Sequence, residues 1–589
     1  MFASSSSKFN TRAASLLFVS AMFLLPFLLP RHFPPIRTFY DEWLAFALGV
    51  CALGLAALQT RQNPVRIPAL AIWLSAFAAL LAARAYSGQP AYPQSPALWA
   101  IYITFAAMLV VLGHDLTRFF GKERVCDAIA AFLLAGALIN AVAGVLQVVG
   151  IPRQIDDFFA YLNGTRAIGN IGQSNLYANY LALGVASLSY LFARRRIGRT
   201  LCIAGGIVLL TGVSLAASRS STIYAIICAL LGYIAVHASK GGAEERIGRC
   251  AIALAIAGVL MQWLVPVFLN FLGISIEGGF NRLSAPDWEG DHEESASLRM
   301  LGWELGWRIF ATAPWQGVGP GEFAGAAFAY GLPSALAARD IWTSPHNLVL
   351  QLLAETGLVG ATLALAGLGL WVRSSAPAFY RAPTAAAWWI LACVAIEIVH
   401  ALLEYPFWYA QFLAMTALIL GIGAGDSIAL PPAAIRALFA SSAIAGVAML
   451  GTSLRDYFRF ELVSPIYAGR SLAPDREFES GLHTLAALNT GLLAPRAELW
   501  LFLSMPVDEI GLPEKLAMGD RVMRTWPLRE VVLRQCVLLA LAGREAEART
   551  LLKQARLTFS NRERMIRDIV SSAPEKARKV LDMVPGSPR

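Results

Sequence analysis

Residues 340–360 read DIWTSPHNLVLQLLAETGLVG, and here a long polar segment turns into an apolar helical one. His346 lies directly after Pro345 and directly before the apolar run. Because imidazole titrates near neutrality, with an unperturbed pKa of about 6.5, a histidine at such a boundary can accept or donate a proton. The simpler interpretation is that His346 caps the helix or hydrogen-bonds a backbone carbonyl. The other polar residues described below favour a catalytic role for His346 over this simpler interpretation.

The apolar run after His346 is one of many in this chain of 589 residues, which is 57% apolar and 15% charged. Runs of about 17 to 24 apolar residues are long enough to cross a hydrocarbon core of about 30 Å as helices. The predicted spans are residues 13–30, 42–59, 67–85, 96–113, 127–150, 174–193, 200–217, 221–238, 250–272, 356–373, 385–403, 407–424 and 433–452. The sequence therefore predicts an all-α polytopic membrane protein with about thirteen transmembrane helices.

Lysine and arginine residues cluster in short connections between the apolar runs, for example at 194–199 and 373–381, and account for the net charge of +9. Counted from a cytoplasmic N-terminus, almost every cluster falls on the inner side, as the positive-inside rule requires. The pattern predicts a lipid bilayer as partner and excludes a basic face for nucleic acid. The first span follows Lys8 and Arg12 as a signal peptide would, but we interpret it as a retained anchor because no small-residue cleavage site follows.

The spacing of the spans predicts four regions. Residues 1–272 hold the first transmembrane helices, 273–355 form a large loop, 356–452 hold the remaining helices, and 453–589 form a soluble helical domain. Within the loop, Leu298, Leu301, Leu305 and Ile309 recur at helical spacing and predict an amphipathic helix over 297–312. Residues 531–558 predict two short helices around a glycine turn, which fits either a tetratricopeptide-like hairpin or a plain helical domain.

The seven cysteines and the known ligand-binding motifs argue against several classes of site. No two cysteines have a structural spacing, so we expect neither a disulfide nor a metal cluster. The sequence contains no Walker loop, no paired-acid metal site and no nucleotide fingerprint. Any reaction would therefore use a substrate that is already activated and carried by the membrane.

Two arginines lie near apolar spans on the side opposite the basic clusters. Arg219 sits in the short turn ASRSS, and Arg299 follows Ser-Leu on the predicted loop helix. A cation this close to hydrocarbon is costly unless it has a partner, and guanidinium groups bind phosphate through paired hydrogen bonds. Both are candidates for binding an anion, although an ion pair with Glu304 or Glu355, or snorkelling to the interface, explains each arginine equally well.

Residues 169–175 read GNIGQSN and open a predicted span on the same side. The amides of Gln173 and Asn175 can orient a ligand that is rich in hydroxyl groups. The alternative, which this stretch alone favours, is that Ser174 or Asn175 caps the following helix.

The turn at 404–409 reads EYPFWY and joins two predicted spans on that side. Tryptophan and tyrosine are ordinary at membrane interfaces, so the aromatic residues alone prove nothing. The carboxylate of Glu404 is less ordinary there, and Glu404 and the phenol of Tyr405 are therefore candidates for a polar site.

Together these motifs resemble one family. SPHN at 344–347, with the following LQ and ETGLVG, resembles the loop and returning helix of the bacterial O-antigen ligases and of the protein O-oligosaccharyltransferases that glycosylate pilins. SRSS at 218–221 and SLR at 297–299 are similar to the basic motifs of that family. GNIGQSN, EYP and the long soluble C-terminal extension are similar to its protein-glycosylating branch.

The resemblance implies a GT-C-like ligase architecture that transfers a glycan from undecaprenyl diphosphate to an acceptor hydroxyl. The reaction would take place on the periplasmic face of the bacterial inner membrane, with the soluble domain on that side, and without metal or cofactor. It places His346 at the catalytic centre, as general base or as a ligand of the diphosphate, and Arg219 and Arg299 on the diphosphate. The glycan or acceptor site would be formed by Gln173, Tyr405, Glu404, Asn347 and Asn175.

The acceptor that the resemblance favours is a pilin-like periplasmic protein, because of the EYP turn and the long tail. The nearest alternatives use the same donor and are an O-antigen ligase that modifies lipid A core and an O-antigen polymerase. A transporter or flippase is more distant, since it predicts ionisable residues buried in mid-span and inverted repeats. The candidate residues instead crowd one face, which favours an enzyme.

Overall fold

The computed structural model describes residues 3–584 apart from 60–63, 151–157, 161, 163–164, 240, 275–295, 332–340, 426, 468–474 and 560–561. The protein is 78% helical and has 22 α-helices in the described part of the chain. The prediction of an all-α polytopic membrane protein is confirmed.

The first nine helices are α1 (Ala3–Ala21), α2 (Phe39–Ala57), α3 (Ala69–Ala85), α4 (Gln94–Phe120), α5 (Lys122–Val149), α6 (Ser174–Ala193), α7 (Arg199–Leu215), α8 (Ser220–Ala238) and α9 (Ala243–Phe271). The loop and the remaining apolar part contain α10 (Ala296–Thr312), α11 (Phe323–Tyr330), α12 (Leu348–Arg381), α13 (Ala385–Ala401), α14 (Ala410–Gly423) and α15 (Pro432–Tyr467). The tail contains α16 (Asp475–Leu488), α17 (Ala494–Ser504), α18 (Leu512–Thr525), α19 (Arg529–Leu541), α20 (Glu545–Thr558), α21 (Glu563–Ser572) and α22 (Glu575–Leu581).

Each of the thirteen predicted spans coincides with an apolar helix. Nine helices among the described residues are long and apolar enough to cross a bilayer. The other four, α3, α7, α13 and α14, are apolar over 14 to 17 residues. The protein is therefore a multi-pass membrane protein.

A small sheet was missing from the prediction. β1 (Val65–Pro68) pairs antiparallel with β2 (Ser427–Leu430), with Val65 opposite Leu430. The predicted span at 67–85 thus begins two residues too early, because α3 starts only at Ala69. The partner strand is more than 350 residues away, so no local pattern could reveal the pairing.

By their internal packing the helices divide into two units. The first unit contains Met1–Ala76, Tyr102–Pro286 and Ala364–Gly451, and the second contains Phe77–Ile101, Asp287–Leu363 and Thr452–Arg589. Small residues allow close helix packing in the first unit: a Cβ on Gly248 of α9 would lie 2.3 Å from the Gly232 carbonyl oxygen of α8.

In the second unit, helix α12 is broken at one glycine. Gly357 has φ 65° and ψ −171°, which is not helical. The Leu358 N–H therefore donates to the Pro314 carbonyl at 2.8 Å instead of continuing the helix ladder. Residues 348–356 form a short separate helix after His346, and the longer apolar segment begins beyond the break, close to the predicted start at 356.

The tail of the second unit forms a helical domain that includes part of the loop. The predicted hairpin at 531–558 is present as α19 and α20, with Gly543 between them at φ +76°. Phe328 of loop helix α11 is buried in one core with Phe502 and Leu552 of the tail. Tyr92, in the turn before α4, is likewise buried beside Glu498 of the tail, and this burial raises the pKa of its phenol. Because a bilayer cannot divide a packed core, the loop and the tail lie on the same side of the membrane.

Candidate functional site

The structure places the eight predicted site residues in two groups, one in each unit. The first unit contains Gln173, Asn175, Arg219, Glu404 and Tyr405, and the second contains Arg299, His346 and Asn347. Each group is described by itself.

In the first unit, buried amides fix the loop that precedes α6. Asn140 Oδ1 accepts from the Asn170 N–H at 2.8 Å, and Gln147 Oε1 accepts from the Gly169 N–H at 2.9 Å. Gly169 has φ +53°, and a Cβ there would lie 2.7 Å from Asn140 Oδ1, so only glycine fits. These contacts hold residues 173–175 at a defined position at the start of α6.

Gln173 is the residue that caps α6. Its Oε1 accepts from the Leu176 N–H at 3.1 Å, and its backbone is extended, as a cap residue requires. The prediction that Ser174 or Asn175 forms the cap is wrong, because the helix already begins at Ser174. The amide of Asn175 is therefore available for a different contact.

Asn175 and Glu404 form a buried carboxylate–amide pair. Asn175 Nδ2 donates to Glu404 Oε1 at 2.9 Å, and the Arg166 guanidinium donates to Asn175 Oδ1 at 3.0 Å. None of the three residues is more than 9% exposed. Because a buried carboxylate is costly without donors around it, this arrangement holds Glu404 in a fixed orientation.

Arg166 also connects this carboxylate–amide pair to the turn that carries Arg219. Its Nε donates to the Ala216 carbonyl oxygen at 2.9 Å, at the end of α7. The next residue, Ala217, has φ +47°, and Arg219 follows immediately before α8. Arg166 was not among the predicted site residues, because a lone arginine in a polar loop gives no local sign that it will be buried.

A second polar pair, His400 and Tyr224, lies one helical turn before Glu404 in the chain. His400 Nδ1 and the Tyr224 hydroxyl are 2.6 Å apart, and the Glu404 N–H donates to the His400 carbonyl at 2.7 Å. Glu397, a further turn along α13, is fully buried. The spacing 397, 400, 404 places the three residues on one helix face and was the signal that could have found them.

Since a transporter predicts ionisable residues buried in mid-span, the positions of Glu397 and His400 along α13 are informative. Glu397 and His400 lie within the last five residues of α13, which ends at Ala401. They are thus near the end of the span, and not at its middle.

Tyr405 belongs to an aromatic turn that begins a 3-10 helix at Pro406. Its ring centroid lies 5.0 Å from that of Trp408 and 6.1 Å from that of Tyr409. Glu42 of α2 holds the end of the turn, since its Oε2 accepts from the Ala410 N–H at 3.2 Å. This role of Glu42 was also absent from the prediction.

In the second unit, His346 has an uncommon backbone conformation. Its φ is +51°, in the left-handed region that costs a non-glycine residue about 1–2 kcal/mol. Its N–H donates to the Ser344 hydroxyl at 3.0 Å, and Ser344 is buried. The side chain of His346 remains partly exposed. A strained conformation that the surrounding residues maintain is typical of functional positions.

Asn347 caps the short helix that begins α12. Its Oδ1 accepts from the Leu350 N–H at 3.1 Å, and its carbonyl accepts from the Gln351 N–H at 2.9 Å. The cap fixes the direction in which the chain leaves His346. A role of Asn347 in a glycan or acceptor site remains a prediction.

Arg299 lies on the face of α10 that packs against the segment before His346. A Cβ on Gly302 would lie 2.6 Å from the Trp342 ring, and one on Gly306 would lie 3.1 Å from Pro345 Cβ. Positions 299, 302 and 306 share one face of the helix. The helix predicted at 297–312 is confirmed as α10. Its two glycines allow the close approach that brings the face with Arg299 to residues 341–346, which we call the histidine loop.

The two acidic residues that the sequence offered as ion-pair partners of Arg299 have other contacts. Glu304 forms an ion pair with Arg308, and Glu355 Oε1 accepts from the Gly321 and Phe323 N–H groups at 2.9 and 3.1 Å. In the part of the chain that the structure describes, no three His, Cys, Asp or Glu residues are grouped as metal ligands. A partly exposed imidazole beside a helix face that carries a guanidinium suits the displacement of an anionic leaving group.

Two families and one curated relative are similar to this chain. Residues 204–365 match the family described as O-antigen ligase, and residues 388–573 match the family described as virulence factor membrane-bound polymerase, C-terminal. The general O-oligosaccharyltransferase of Acinetobacter baylyi is 24% identical over 464 residues, which cover 76% of this chain and 77% of the relative. The resemblance predicted from the motifs is confirmed.

Proposed function

We propose that this chain, whose residues 204–365 match the O-antigen ligase family, is a protein O-oligosaccharyltransferase. It moves a glycan en bloc from undecaprenyl diphosphate to serine or threonine hydroxyls of a pilin or another periplasmic protein. The observation that carries this proposal is the geometry of His346, whose left-handed backbone presents a partly exposed imidazole next to the helix face that carries Arg299.

The proposed reaction is a single displacement that inverts the anomeric carbon. The acceptor oxygen forms a bond to that carbon, and the bond from the carbon to the phosphate oxygen breaks. Its electron pair leaves with undecaprenyl diphosphate, and the hydroxyl proton passes to a base. His346 is that base or helps to bind the diphosphate, and Arg299 and Arg219 offset the charge that develops on the leaving group.

The donor is already activated, so we propose that the transfer requires neither metal nor cofactor. The carboxylate–amide pair of Asn175 and Glu404, with Gln173, Asn347 and Tyr405, is assigned to the glycan or the acceptor. We place the enzyme in the bacterial inner membrane, with the site and the tail on the periplasmic side. The core that Phe328 shares with the tail supports a common side for the loop and the tail.

Transfer of an oligosaccharide to a hydroxyl is supported by the similarity to the general O-oligosaccharyltransferase of Acinetobacter baylyi, which extends over 76% of this chain. A protein as the acceptor is proposed from the EYP turn and the long tail. A second candidate, an O-antigen polymerase that adds to a growing glycan, is favoured by the match of residues 388–573 to a membrane-bound polymerase family. A ligase that modifies lipid A core is the third member of this group. All three use the same donor and differ only in the acceptor.

The deciding experiment is glycosylation in a host that supplies a lipid-linked oligosaccharide and lacks its own ligase. The chain is co-expressed with a periplasmic pilin and with lipid A core as competing acceptors, as wild type and as His346→Ala at matched membrane levels. We expect glycosylated pilin with the wild type and none with the variant, detected by intact-protein mass spectrometry.

Other outcomes would change the assignment. Glycan found only on lipid A core, or only in longer polymers, would keep the donor chemistry and replace the protein acceptor. Unchanged pilin glycosylation in His346→Ala would remove His346 from the catalytic centre. Arg373→Ala is a matched control, because this arginine is exposed and belongs to neither group of site residues.

A further inference from the structure

A cavity of about 420 Å³ lies in the second unit, beside the glycine break of α12. Leu81, Trp315 and Pro320 form apolar walls, and Arg84, Gln316 and Glu355 contribute polar groups. Its volume falls in the range of small-molecule sites, which are mostly apolar with a few convergent polar groups. None of these six residues belongs to the candidate site described above.

The backbone of this region is built around the cavity. A Cβ on Gly357 would lie 2.4 Å from the Trp315 carbonyl oxygen, so the glycine is required for this close approach. The Arg84 guanidinium donates to the Gln316 carbonyl oxygen at 3.0 Å, which ties the end of α3 to the same segment. The walls are therefore fixed by contacts within the second unit.

The carboxyl group of Glu355, a residue that lines the cavity, indicates what the cavity binds. Glu355 is 1% exposed, and its Oε1 holds the Gly321 and Phe323 N–H groups. Its other oxygen, Oε2, is buried and has no hydrogen-bond partner among the described residues. A buried acceptor that lacks a donor is costly, so a ligand with hydroxyl or amide N–H groups is favoured at this position.

The residues that line the cavity favour one class of ligand over the others. The acidic Glu355 disfavours the anionic diphosphate, and the one cation among the described residues of the lining, Arg84, already donates to the Gln316 carbonyl oxygen. An isoprenoid chain would leave Oε2 without a donor. A sugar ring combines hydroxyl or acetamido donors at its edge with a C–H face, which the Trp315 indole and the aliphatic wall can contact. The indole of Trp315 is 66% exposed although it lines a cavity, so it is open to a ring that stacks on it.

We propose that this cavity is a saccharide subsite that binds a sugar of the donor glycan distant from the bond that is cleaved. The proposal rests on the proposed function, because it takes His346 to mark the reacting end. Glu355 lies in the short helix that starts at Leu348, two residues after His346, and at a helical rise of 1.5 Å per residue it is roughly 10 Å along that helix from its first residue. The subsite would therefore read glycan length and composition, and would not take part in bond cleavage.

The test compares two donors and a matched set of variants. One host supplies a lipid-linked oligosaccharide of several sugars, and the other supplies the same lipid carrying only its first N-acetylhexosamine. Trp315→Ala removes the stacking surface, Trp315→Phe retains an aromatic face, and Glu355→Gln keeps an oxygen for the two N–H groups but replaces the other. Trp307→Ala is the control, since Trp307 is also exposed but lies on α10 and outside the cavity.

We expect Trp315→Ala and Glu355→Gln to lower transfer of the long glycan by roughly tenfold, which corresponds to about 1.4 kcal/mol of binding. Transfer of the single sugar should stay within about twofold of wild type, and Trp315→Phe should restore most transfer of the long glycan. An equal loss with both donors would overturn the proposal, because it would indicate an acceptor peptide or a fold defect. No loss with either donor would also overturn it.

A binding measurement separates this proposal from the proposed function. The free oligosaccharide, released from the donor lipid by mild acid, is titrated against purified full-length protein by saturation-transfer NMR. Binding by the wild type that is lost in Trp315→Ala and kept in Trp307→Ala supports the subsite even if no acceptor is glycosylated. If pilin is glycosylated but the wild type and Trp315→Ala give the same saturation transfer, the subsite is wrong and the proposed function stands.

Discussion

The two groups of candidate residues are held by different means. In the first unit, buried side chains orient one another, as Arg166, Asn175 and Glu404 do through bonds of 2.9 to 3.0 Å. In the second unit, the backbone sets the geometry through the left-handed His346 and through glycines that allow α10 to approach the loop. The first arrangement should be sensitive to lost hydrogen bonds, and the second to added atoms and altered backbone freedom.

The largest effect on transfer should come from substitutions of His346. Two of them distinguish the contribution of its side chain from that of its backbone conformation. His346→Ala and His346→Gly should both lower transfer by about 10²–10⁴-fold, the range for losing an acid–base group. Glycine adopts φ +51° without a Cβ penalty, so His346→Gly should be more stable than His346→Ala by about 1 kcal/mol. Initial rates and unfolding in detergent measure the two effects. Equal stability of the variants would show that the backbone is not strained there.

The next effect tests whether the second unit depends on close packing. Gly302→Ala places a methyl group 2.6 Å from the Trp342 ring, so the ring and its contact with α10 must shift. Because a displacement of about 1 Å can cost up to about 10²-fold in rate, we expect a clear loss of transfer with the protein still folded. Gly369→Ala is the control, since its added methyl meets no atom within 4 Å. Equal activity of the two variants would contradict the role of this contact.

In the first unit, removing Arg166 should mainly affect stability. Arg166→Ala leaves the Ala216 carbonyl and the Asn175 amide oxygen without the arginine's donors, at a cost of about 1–3 kcal/mol. Glu404→Gln retains an oxygen for Asn175 and should unfold closer to wild type. Chemical denaturation in detergent compares the two variants. If Glu404→Gln is the less stable protein, the charge and not the hydrogen bond holds this region.

The smallest effect concerns the cap beside His346. Asn347→Ala should destabilise the protein by about 1 kcal/mol, because the Leu350 N–H loses its acceptor. Asn347→Asp retains an acceptor oxygen and should keep wild-type stability. Transfer measured alongside tests the assignment of Asn347 to the site: if Asn347→Asp is stable yet loses transfer, the amide itself contacts substrate.

The sequence predicted the elements that depend on local pattern and missed those that depend on distant partners. Every span was visible from hydropathy, and α10 and the α19–α20 hairpin were visible from helical spacing. The β1–β2 pair, the burial of Arg166 and the role of Glu42 at Ala410 each need a partner 50 or more residues away. The cap at Gln173 was missed by one residue, because several polar residues in a row can each serve as a cap.

The core that Phe328 shares with the tail has a consequence for the order of synthesis. Helix α11 emerges from the ribosome well before α17 to α20, against which it packs. Until those last segments are made and cross to the same side, Phe328 lacks the tail residues that complete its core. The histidine loop would then be completed only when translation is almost finished, so chains truncated in the tail should accumulate in the membrane without a finished loop.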